Sequence, residues 1–508
     1  MKIKLVNNFS GGLAQDIREP KTNTFSYASG FDTFSNAHKL TPYRTMETES
    51  IDSGTLSNYA MSDVVIMKDS VNTNIYALGQ AGAADLNPKF FQKSTVMDIS
   101  SAFQAATGGE DTTNSVLRGT LEAYKSKLYC LKTDNTNTFL TEYNHSTTTT
   151  STKADGGAST TLNGLTNTNY GVKPFRHPMD DILYIAHGYT ISKLDNTTLT
   201  RNVFTIPSDY YITSLTDFGA YLFIMTAPVV GGLSSKAYLW NRDTTLQTAT
   251  EVIDFGQGSA MVSENINGAV VVVMSSRVPT TNSVFNLSTK LMVKAYTGGK
   301  PQTLFETTTT SETFNLYNFK AIQDNRLYFA CSASINGTSL HQIFVCGKNS
   351  SGMWVVSPDR LINNNTALSG TIQGFSIIGD YLWVGFNGNG SFYRTRYASA
   401  TFPTATYESL INPSMEENDR TQKKNLKFVS VSKSSTTGQL DVSVSVDGGA
   451  YQSVVSLSSG GALSKKETRL STGAPIPDGY EFKFKVESTN GAEFTELKYG
   501  YDLAEKNI

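Results

Sequence analysis

Residues 319–330 read FKAIQDNRLYFA, residues 375–384 read FSIIGDYLWV, and the two stretches nearly superimpose. In each, an apolar run leads into a two-residue turn and then into a second apolar run that carries aromatic side chains. The Asp-Asn pair at 324–325 and the Gly-Asp pair at 379–380 supply the positive φ angles that a tight hairpin turn requires. The sequence therefore predicts two copies of one β-hairpin.

The same pattern recurs upstream and predicts a repeat fold. Further copies lie at residues 64–78, 121–130, 174–185, 212–224 and 260–273, and a third strand follows most hairpins, as at 237–242, 291–296, 342–346 and 391–395. A hairpin with one or two further strands, repeated every ~30–50 residues, is typical of a propeller blade. We therefore predict an all-β protein with a β-propeller of about seven blades. A pair of stacked β-sandwiches is the alternative, but Greek-key crossovers would break the tandem period.

The end of the chain has a different pattern. Residues 408–425 are polar, with Pro413 and clustered charges, and beyond them residues 427–431, 440–446, 481–486 and 496–501 alternate between apolar and polar. Strict alternation indicates strands with one dry and one solvated face, as in a small β-sandwich. We therefore divide the chain into an N-terminal arm with a ring-closing strand (1–58), a propeller (59–407) and a C-terminal β-sandwich (408–508).

Composition and charge argue against several classes of protein. The 508 residues are 39% hydrophobic and 17% charged, and the formal net charge is −2, so no basic surface for tight nucleic-acid binding is expected. No apolar run is long enough for a membrane span or a signal-peptide core, so we expect synthesis in the cytoplasm without membrane insertion. The three cysteines, Cys130, Cys331 and Cys346, lie in apolar strands at irregular spacing, which predicts buried free thiols.

A search for catalytic or metal-binding motifs finds none, so we expect no cofactor, no metal and no enzymatic activity. A glycosidase would need two carboxylates at the propeller axis, but the candidates lie in hairpin turns, where Asp stabilises the turn itself. They are Asp180, Asp181, Asp217, Asp324 and Asp380. His177 and His187 flank one predicted strand pair, where ordinary hydrogen-bonded histidines are expected.

The N-terminal residues carry the most distinctive motif. Residues 8–16 read NFSGGLAQD, followed by Glu-Pro at 19–20, Phe-Asp at 31–32 and LTPYR at 40–44. This segment resembles the opening of tail nozzle proteins (tail tubular protein B) of short-tailed phages, or of a related phage virion propeller protein. The resemblance assigns a hypothetical assembly motif to Gly11, Gly12, Gln15, Pro20, Pro42 and Arg44. Without the resemblance, the Gly-Gly segment would be a loop and an edge strand that closes the propeller ring.

The resemblance implies a structural protein of the virion tail. It implies a homo-hexamer beneath the tail adaptor, in contact with adaptor and fibre proteins, that forms part of the conduit for DNA ejection. Genomic DNA would pass without specific binding. The alternative is a receptor- or glycan-binding propeller on the virion, in which Trp240, Trp354 and Trp383 would stack on sugars.

Overall fold

The computed structural model describes 1–14, 23–44, 46–48, 59–68, 73–81, 88–93, 103–110, 116–133, 137–155, 160–162, 172–229, 233–275, 290–308, 315–335, 338–349, 352–361, 372–378, 381–386, 392–395, 402–458, 464–470 and 476–504. The chain forms two compact units. The sandwich unit comprises Met1–Thr45, Ile335–Thr366 and Arg396–Ile508, and the propeller unit comprises Met46–Ser334 and Ala367–Thr395. The units thus do not follow the linear division into 1–58, 59–407 and 408–508.

The chain begins with four strands of the sandwich unit: β1 (Lys2–Val6), β2 (Tyr27–Ser29), β3 (Phe31–Asp32) and β4 (Thr41–Pro42). It then enters the propeller unit at β5 (Met46–Thr48). Three antiparallel meanders follow, and each is one blade of the propeller. Their strands are β6 (Tyr59–Lys68), β7 (Thr73–Ala81), β8 (Pro88–Lys93), β9 (Gln104–Glu110); β10 (Val116–Tyr124), β11 (Lys127–Thr133), β12 (Thr138–Asn144), β13 (Thr149–Thr152), β14 (Thr161–Leu162); and β15 (Phe175–Arg176), β16 (Leu183–His187), β17 (Thr190–Asp195), β18 (Thr198–Thr205).

Four more hairpin units complete the seven expected blades. The fourth and fifth are β19 (Tyr210–Phe218), β20 (Tyr221–Pro228), β21 (Ser234–Trp240), β22 (Glu251–Gln257), and β23 (Ser259–Ile266), β24 (Ala269–Ser275), β25 (Lys290–Tyr296), β26 (Gln302–Thr308). The sixth opens with the hairpin β27 (Asn315–Gln323) and β28 (Arg326–Ile335); the next strands, β29 (Thr338–Lys348) and β30 (Trp354–Leu361), belong to the sandwich unit. The seventh contains β31 (Ile372–Ile378), β32 (Tyr381–Phe386) and β33 (Phe392–Thr395). The prediction of an all-β propeller is confirmed.

The turns explain why the repeated hairpins form. In β10–β11 the turn residues Lys125 and Ser126 have φ angles of 47° and 60°, and in β27–β28 Asp324 and Asn325 have φ angles of 51° and 57°. Two consecutive positive φ angles give a turn whose twist matches the twist of the flanking strands. The predicted hairpins at 121–130 and 319–330 therefore form with the turn residues that the sequence indicated.

The propeller ring is closed by β5, which pairs antiparallel with β33 and becomes the fourth strand of the seventh blade. Met46 lies opposite Thr395, and Thr48 lies opposite Tyr393. The closing strand lies within residues 1–58, but the Gly11-Gly12 segment does not form it. That segment lies in the sandwich unit, and the closing strand comes some thirty residues later in the chain.

Apolar clusters fill the spaces between neighbouring blades. Phe204 of the third blade stacks on Trp240 of the fourth, with ring centroids 4.9 Å apart. Trp383 of the seventh blade packs in a cluster with Val64 and Ile75 of the first. Both tryptophans are buried, so neither is placed to stack on a sugar, and only Trp354 is partly exposed.

The remaining strands form the predicted β-sandwich, together with strands from the start of the chain. They are β34 (Ala405–Glu408), β35 (Lys424–Lys433), β36 (Gln439–Val446), β37 (Gln452–Leu457), β38 (Lys465–Arg469), β39 (Phe482–Thr489) and β40 (Phe494–Leu503), with one helical turn, α1 (Glu417–Arg420). The sheet orders are β1-β40-β35-β38 and β2-β34-β39-β36-β37. Buried and half-buried residues alternate along β39, as the sequence pattern predicted. Among the described residues, no helix is long and apolar enough to cross a membrane.

Candidate functional site

The candidate site is a cavity of about 300 Å³ at the axis of the propeller. The opening segment of every blade contributes to its wall. These segments are β6, β10, the residues leading into β15 together with that strand, β19, β23, β27 and β31. The polar lining residues that the argument needs are Glu122, Lys173, Arg176, Glu264, Lys320 and Ser376.

Asp63 in β6 joins four blades beside this cavity. Its carboxylate accepts hydrogen bonds from the backbone N–H of Val64 (2.8 Å), from the backbone N–H of Leu121 in the second blade (2.9 Å) and from the Ser376 hydroxyl in the seventh. The Lys173 ammonium, which precedes the third blade, lies 3.4 Å from Asp63 Oδ2. The Asp63 side chain is only 2% exposed, so these partners take the place of water around the charge.

Glu264 in β23 joins the other three blades. Its Oε1 accepts the Thr216 hydroxyl of the fourth blade at 2.8 Å, and its Oε2 lies 2.7 Å from the Lys320 ammonium of the sixth. Lys320 also donates to the carbonyls of Leu215 (2.8 Å) and Ser263 (2.7 Å). Each of the seven blades therefore contacts either Asp63 or Glu264 at the axis.

Glu122 and Lys173 form a looser pair at the cavity wall. Glu122 Oε2 and Lys173 Nζ are 3.7 Å apart, and the two side chains are 24% and 28% exposed. Burial raises the pKa of Glu122, although the Lys173 ammonium opposes this shift. Burial also acts to lower the pKa of Lys173, but the charges of Asp63 and Glu122 outweigh burial and raise that pKa. One ammonium thus lies between two carboxylates.

These axial residues were missed from the sequence, although an alignment of the hairpins contains a signal for them. Glu122, Thr216, Glu264 and Ser376 all lie two positions before the last paired residue of an inner strand. An apolar residue would be expected at a buried inner-strand position, so recurring polar side chains at one level indicate a shared polar layer. The carboxylates in the hairpin turns are more prominent candidates in the sequence than this polar layer.

The predicted assembly residues lie in the sandwich unit, where the structure describes four of the six. Gly12 is buried with a φ of 69°, and a Cβ there would lie 2.8 Å from the Val356 carbonyl oxygen. Pro42 is buried in β4, Gly11 is partly exposed, and the exposed Arg44 guanidinium lies 5.6 Å from the centre of the Phe402 ring. Gln15 and Pro20 lie outside the described residues. The role of this motif in assembly stays a prediction.

The two candidate histidines have separate partners. His177 Nε2 donates to the Tyr221 carbonyl at 3.2 Å, while His187 Nε2 lies 2.8 Å from the Ser192 hydroxyl. The Asp180 carboxylate accepts the Tyr184 hydroxyl at 2.9 Å and contacts Arg242. Asp181 contacts Lys125 and Arg176, Asp217 accepts a hydrogen bond from the Asn265 side-chain amide at 2.8 Å, and Asp324 lies in its hairpin turn. Gly379 and Asp380 lie outside the described residues, and none of the described turn carboxylates lines the axial cavity.

Comparison with known proteins gives likenesses of fold only. No protein-family profile matches the chain, and no curated protein matches it. Among solved structures, an exo-β-1,3-galactanase from Phanerochaete chrysosporium matches at 10% identity over 91% of this chain and 100% of that one, with a TM-score of 0.29. A glycoside hydrolase family 43 arabinoxylan arabinofuranohydrolase from Bacillus subtilis matches at 10% identity over 88% and 97%, with a TM-score of 0.30. The Neurospora crassa Pan2 WD40 domain matches at 10% identity over 68% and 96%, with a TM-score of 0.35.

These matches correct one expectation. The prediction that the chain is not an enzyme is wrong. Glycoside hydrolases stand among the matched structures, so enzymatic activity is not excluded. That prediction rested on the absence of a recognised catalytic motif, and neither a missing motif nor a fold decides function. At this identity and TM-score the matches assign no reaction to this chain.

Proposed function

We propose that this protein is a structural component of a tailed-phage virion, a tail nozzle or tube ring that forms part of the DNA-exit conduit. The proposal starts from the resemblance of residues 8–44 to the opening of tail nozzle proteins. It assigns the chain to the virion tail, with adaptor and fibre proteins as neighbours.

The observation that carries a structural role is the bonding at the propeller axis. Asp63 binds the inner segments of four blades and Glu264 those of the other three, and both carboxylates are almost completely removed from water. Breaking such a network leaves buried charges without partners, which is costly. A propeller ring bonded in this way keeps its blades in register, as a rigid structural component of an assembly requires.

The size of the axial cavity supports assembly into a larger ring. A cavity of about 300 Å³ is far too small for a DNA duplex, of which a single helical turn is about 34 Å long. If DNA passes, its path must therefore lie between copies of the chain. The near-neutral formal charge of −2 suits a wall along which DNA moves without being held by phosphate contacts.

The oligomeric state and the location of the protein test this proposal. Electron microscopy of the purified protein is expected to show six-fold rings, and mass spectrometry of purified particles is expected to detect the chain. A protein that remains monomeric at high concentration and is absent from particles would contradict the proposal.

A second candidate function is a receptor- or glycan-binding propeller on the virion. One observation favours it: the axial cavity presents partly exposed polar groups, Glu122 and Lys173, beside the half-buried ring of Phe175. Three-fold assembly and binding of the isolated protein to host cells would favour this candidate over the nozzle.

A further inference from the structure

The axial cavity has one wall whose polar groups are fully engaged. The Lys320 ammonium has three hydrogens, and it has short contacts to three acceptors, Glu264 Oε2 and the carbonyls of Leu215 and Ser263, at 2.7 to 2.8 Å. Glu264 receives the Thr216 hydroxyl as well. This wall has little capacity left for a ligand, so its role is structural.

The opposite wall is more loosely bonded. The Lys173 ammonium lies 3.4 Å from Asp63 and 3.7 Å from Glu122, whereas charge-assisted contacts are usually about 2.7–2.9 Å. A separation above about 3.5 Å between polar groups is one that a third polar atom can bridge. Glu122 and Lys173 also keep about a quarter of their side-chain surface exposed. This wall can accept hydrogen bonds from a ligand and donate hydrogen bonds to it.

The balance of charge indicates the kind of guest. Three carboxylates, those of Asp63, Glu122 and Glu264, face three cations around the cavity, Lys173, Arg176 and Lys320. Arg176 also pairs with Asp181 outside the lining, and Asp181 is paired with Lys125 in turn, so the charges balance with this pair included. A ligand with a net charge would find no opposite excess, whereas a neutral polyol can use the donors and acceptors together. Phe175, Ile322 and Ile377 add apolar surface to the lining. The volume lies at the small end of known ligand sites, which fits one compact molecule.

We propose that the axial cavity binds one neutral hexopyranose unit, with Glu122 and Lys173 hydrogen-bonding its hydroxyls and Phe175 contacting its C–H face. The inference rests on the second candidate function for its biological meaning. It does not require the protein to be a receptor, since a sugar can occupy the cavity of a nozzle ring as well.

Binding of neutral monosaccharides to the purified full-length protein tests the proposal. Titration calorimetry and saturation-transfer NMR with D-galactose, D-glucose and N-acetyl-D-glucosamine are expected to show saturable binding of at least one. Glu122→Gln and Lys173→Met should each weaken that binding about tenfold or more, because each removes a hydrogen bond to a charged group. Lys193→Met, on β17 of the third blade and outside the cavity lining, is the matched control and should leave the affinity unchanged.

A second variant covers the case in which the polar substitutions unfold the propeller. Ile322 lines the cavity and is 48% exposed, so Ile322→Trp should fold normally and reduce access to the cavity. Loss of binding in this variant, with an unchanged circular dichroism spectrum, supports the site. Failure of all three sugars to bind, unchanged affinity in Ile322→Trp and Glu122→Gln, or preferential binding of a zwitterionic amino acid such as glycine would each overturn it. Sugar binding without attachment to host cells would contradict only the receptor role.

Discussion

The Lys320 ammonium lies 2.7 Å from Glu264 Oε2, and this contact joins the fifth and sixth blades at the propeller axis. The Glu264 side chain is 7% exposed and that of Lys320 is 12% exposed. The contact is therefore a buried ion pair. In such a pair, removal of one partner destabilises the fold by more than the intact pair stabilises it.

Lys320→Met is expected to destabilise the propeller unit by about 3–5 kcal/mol, because it leaves the Glu264 carboxylate buried without its cation. Urea unfolding followed by the fluorescence of Trp240 and Trp383 would measure this. The double variant with Glu264→Gln should recover part of the loss, since no charge is then left alone. Lys125→Met, which removes an exposed pair with Asp181, should cost less than about 1 kcal/mol. Equal effects of the two single substitutions would contradict the axial assignment.

The propeller unit should lose stability in mild acid through His177. Burial is the largest cause that lowers its pKa; Arg242 acts in the same direction, while the Tyr221 carbonyl, Asp180 and Asp217 oppose the shift. As pH falls below about 6.5, the unfolded chain therefore takes up this proton before the folded chain does, and the free energy of unfolding decreases. The loss levels off once the pH is below the folded-state pKa.

Urea unfolding between pH 7.5 and pH 5 would reveal this slope. His177→Gln keeps a donor for the Tyr221 carbonyl but has no titrating group, so its stability should vary less over this range. A slope that survives in His177→Gln would assign the proton to another group.

Gly12→Ala should destabilise the sandwich unit by at least about 2 kcal/mol. The new methyl group would meet the Val356 carbonyl oxygen at 2.8 Å, in addition to the strain of a positive φ. Gly352→Ala separates the two causes, because Gly352 also has a positive φ but nothing within 4 Å of the added Cβ. It should cost only about 1 kcal/mol. The fluorescence of Trp354, which begins β30 next to the contact, would report both transitions.

Arg44→Ala should weaken assembly of the chain into its oligomeric ring without lowering the midpoint of thermal unfolding. Arg44 is exposed and its guanidinium lies over the Phe402 ring, so the substitution removes little buried surface. Sedimentation velocity across a concentration series would measure assembly, with Arg469→Ala, a change at a 90% exposed side chain, as the control. Unchanged assembly in Arg44→Ala would remove this residue from the proposed motif.

The three thiols should react slowly in the native protein. Cys130, Cys331 and Cys346 are buried, and burial raises the pKa of the Cys346 thiol to about 12. Since the thiolate is the reactive form, a disulfide reagent at pH 8 should modify these cysteines only after unfolding. Thr147→Cys, a substitution in an exposed turn, provides a fast-reacting reference in the same chain. Rapid modification of wild-type protein would contradict the described core.

The propeller could be predicted because its signal is local. Turn pairs such as Asp324-Asn325 dictate a hairpin with their own φ preferences, and the hairpin recurs along the chain. The closing strand was expected within residues 1–58, but its exact position could not be predicted in the same way. Strand β5 is three residues long and pairs with β33 far away in sequence, so no local pattern marks it. The Gly11-Gly12 segment is more conspicuous in the sequence. Gly12 is required there by a close contact with the Val356 backbone inside the sandwich unit.

The axial site was hidden for a related reason. Asp63 and Lys173 come from distant stretches, and only the arrangement of blades around one axis brings them within 3.4 Å. The polar residues at matching hairpin positions, such as Glu122 and Glu264, were available as a signal. Single polar residues within apolar strands are common, so each one taken alone indicated nothing.

The pairing of β5 with β33 also has a consequence for biosynthesis. The closing strand leaves the ribosome before any blade, yet its partner emerges only after the sixth blade has been made. At about 5–20 residues per second, this delay is on the order of tens of seconds. During that time Met46–Thr48 has no described partner strand to pair with, because the seventh blade has not yet been made. Completion of the ring is therefore a late event in translation, and a chain released early would expose the open edge of a sheet to other nascent copies.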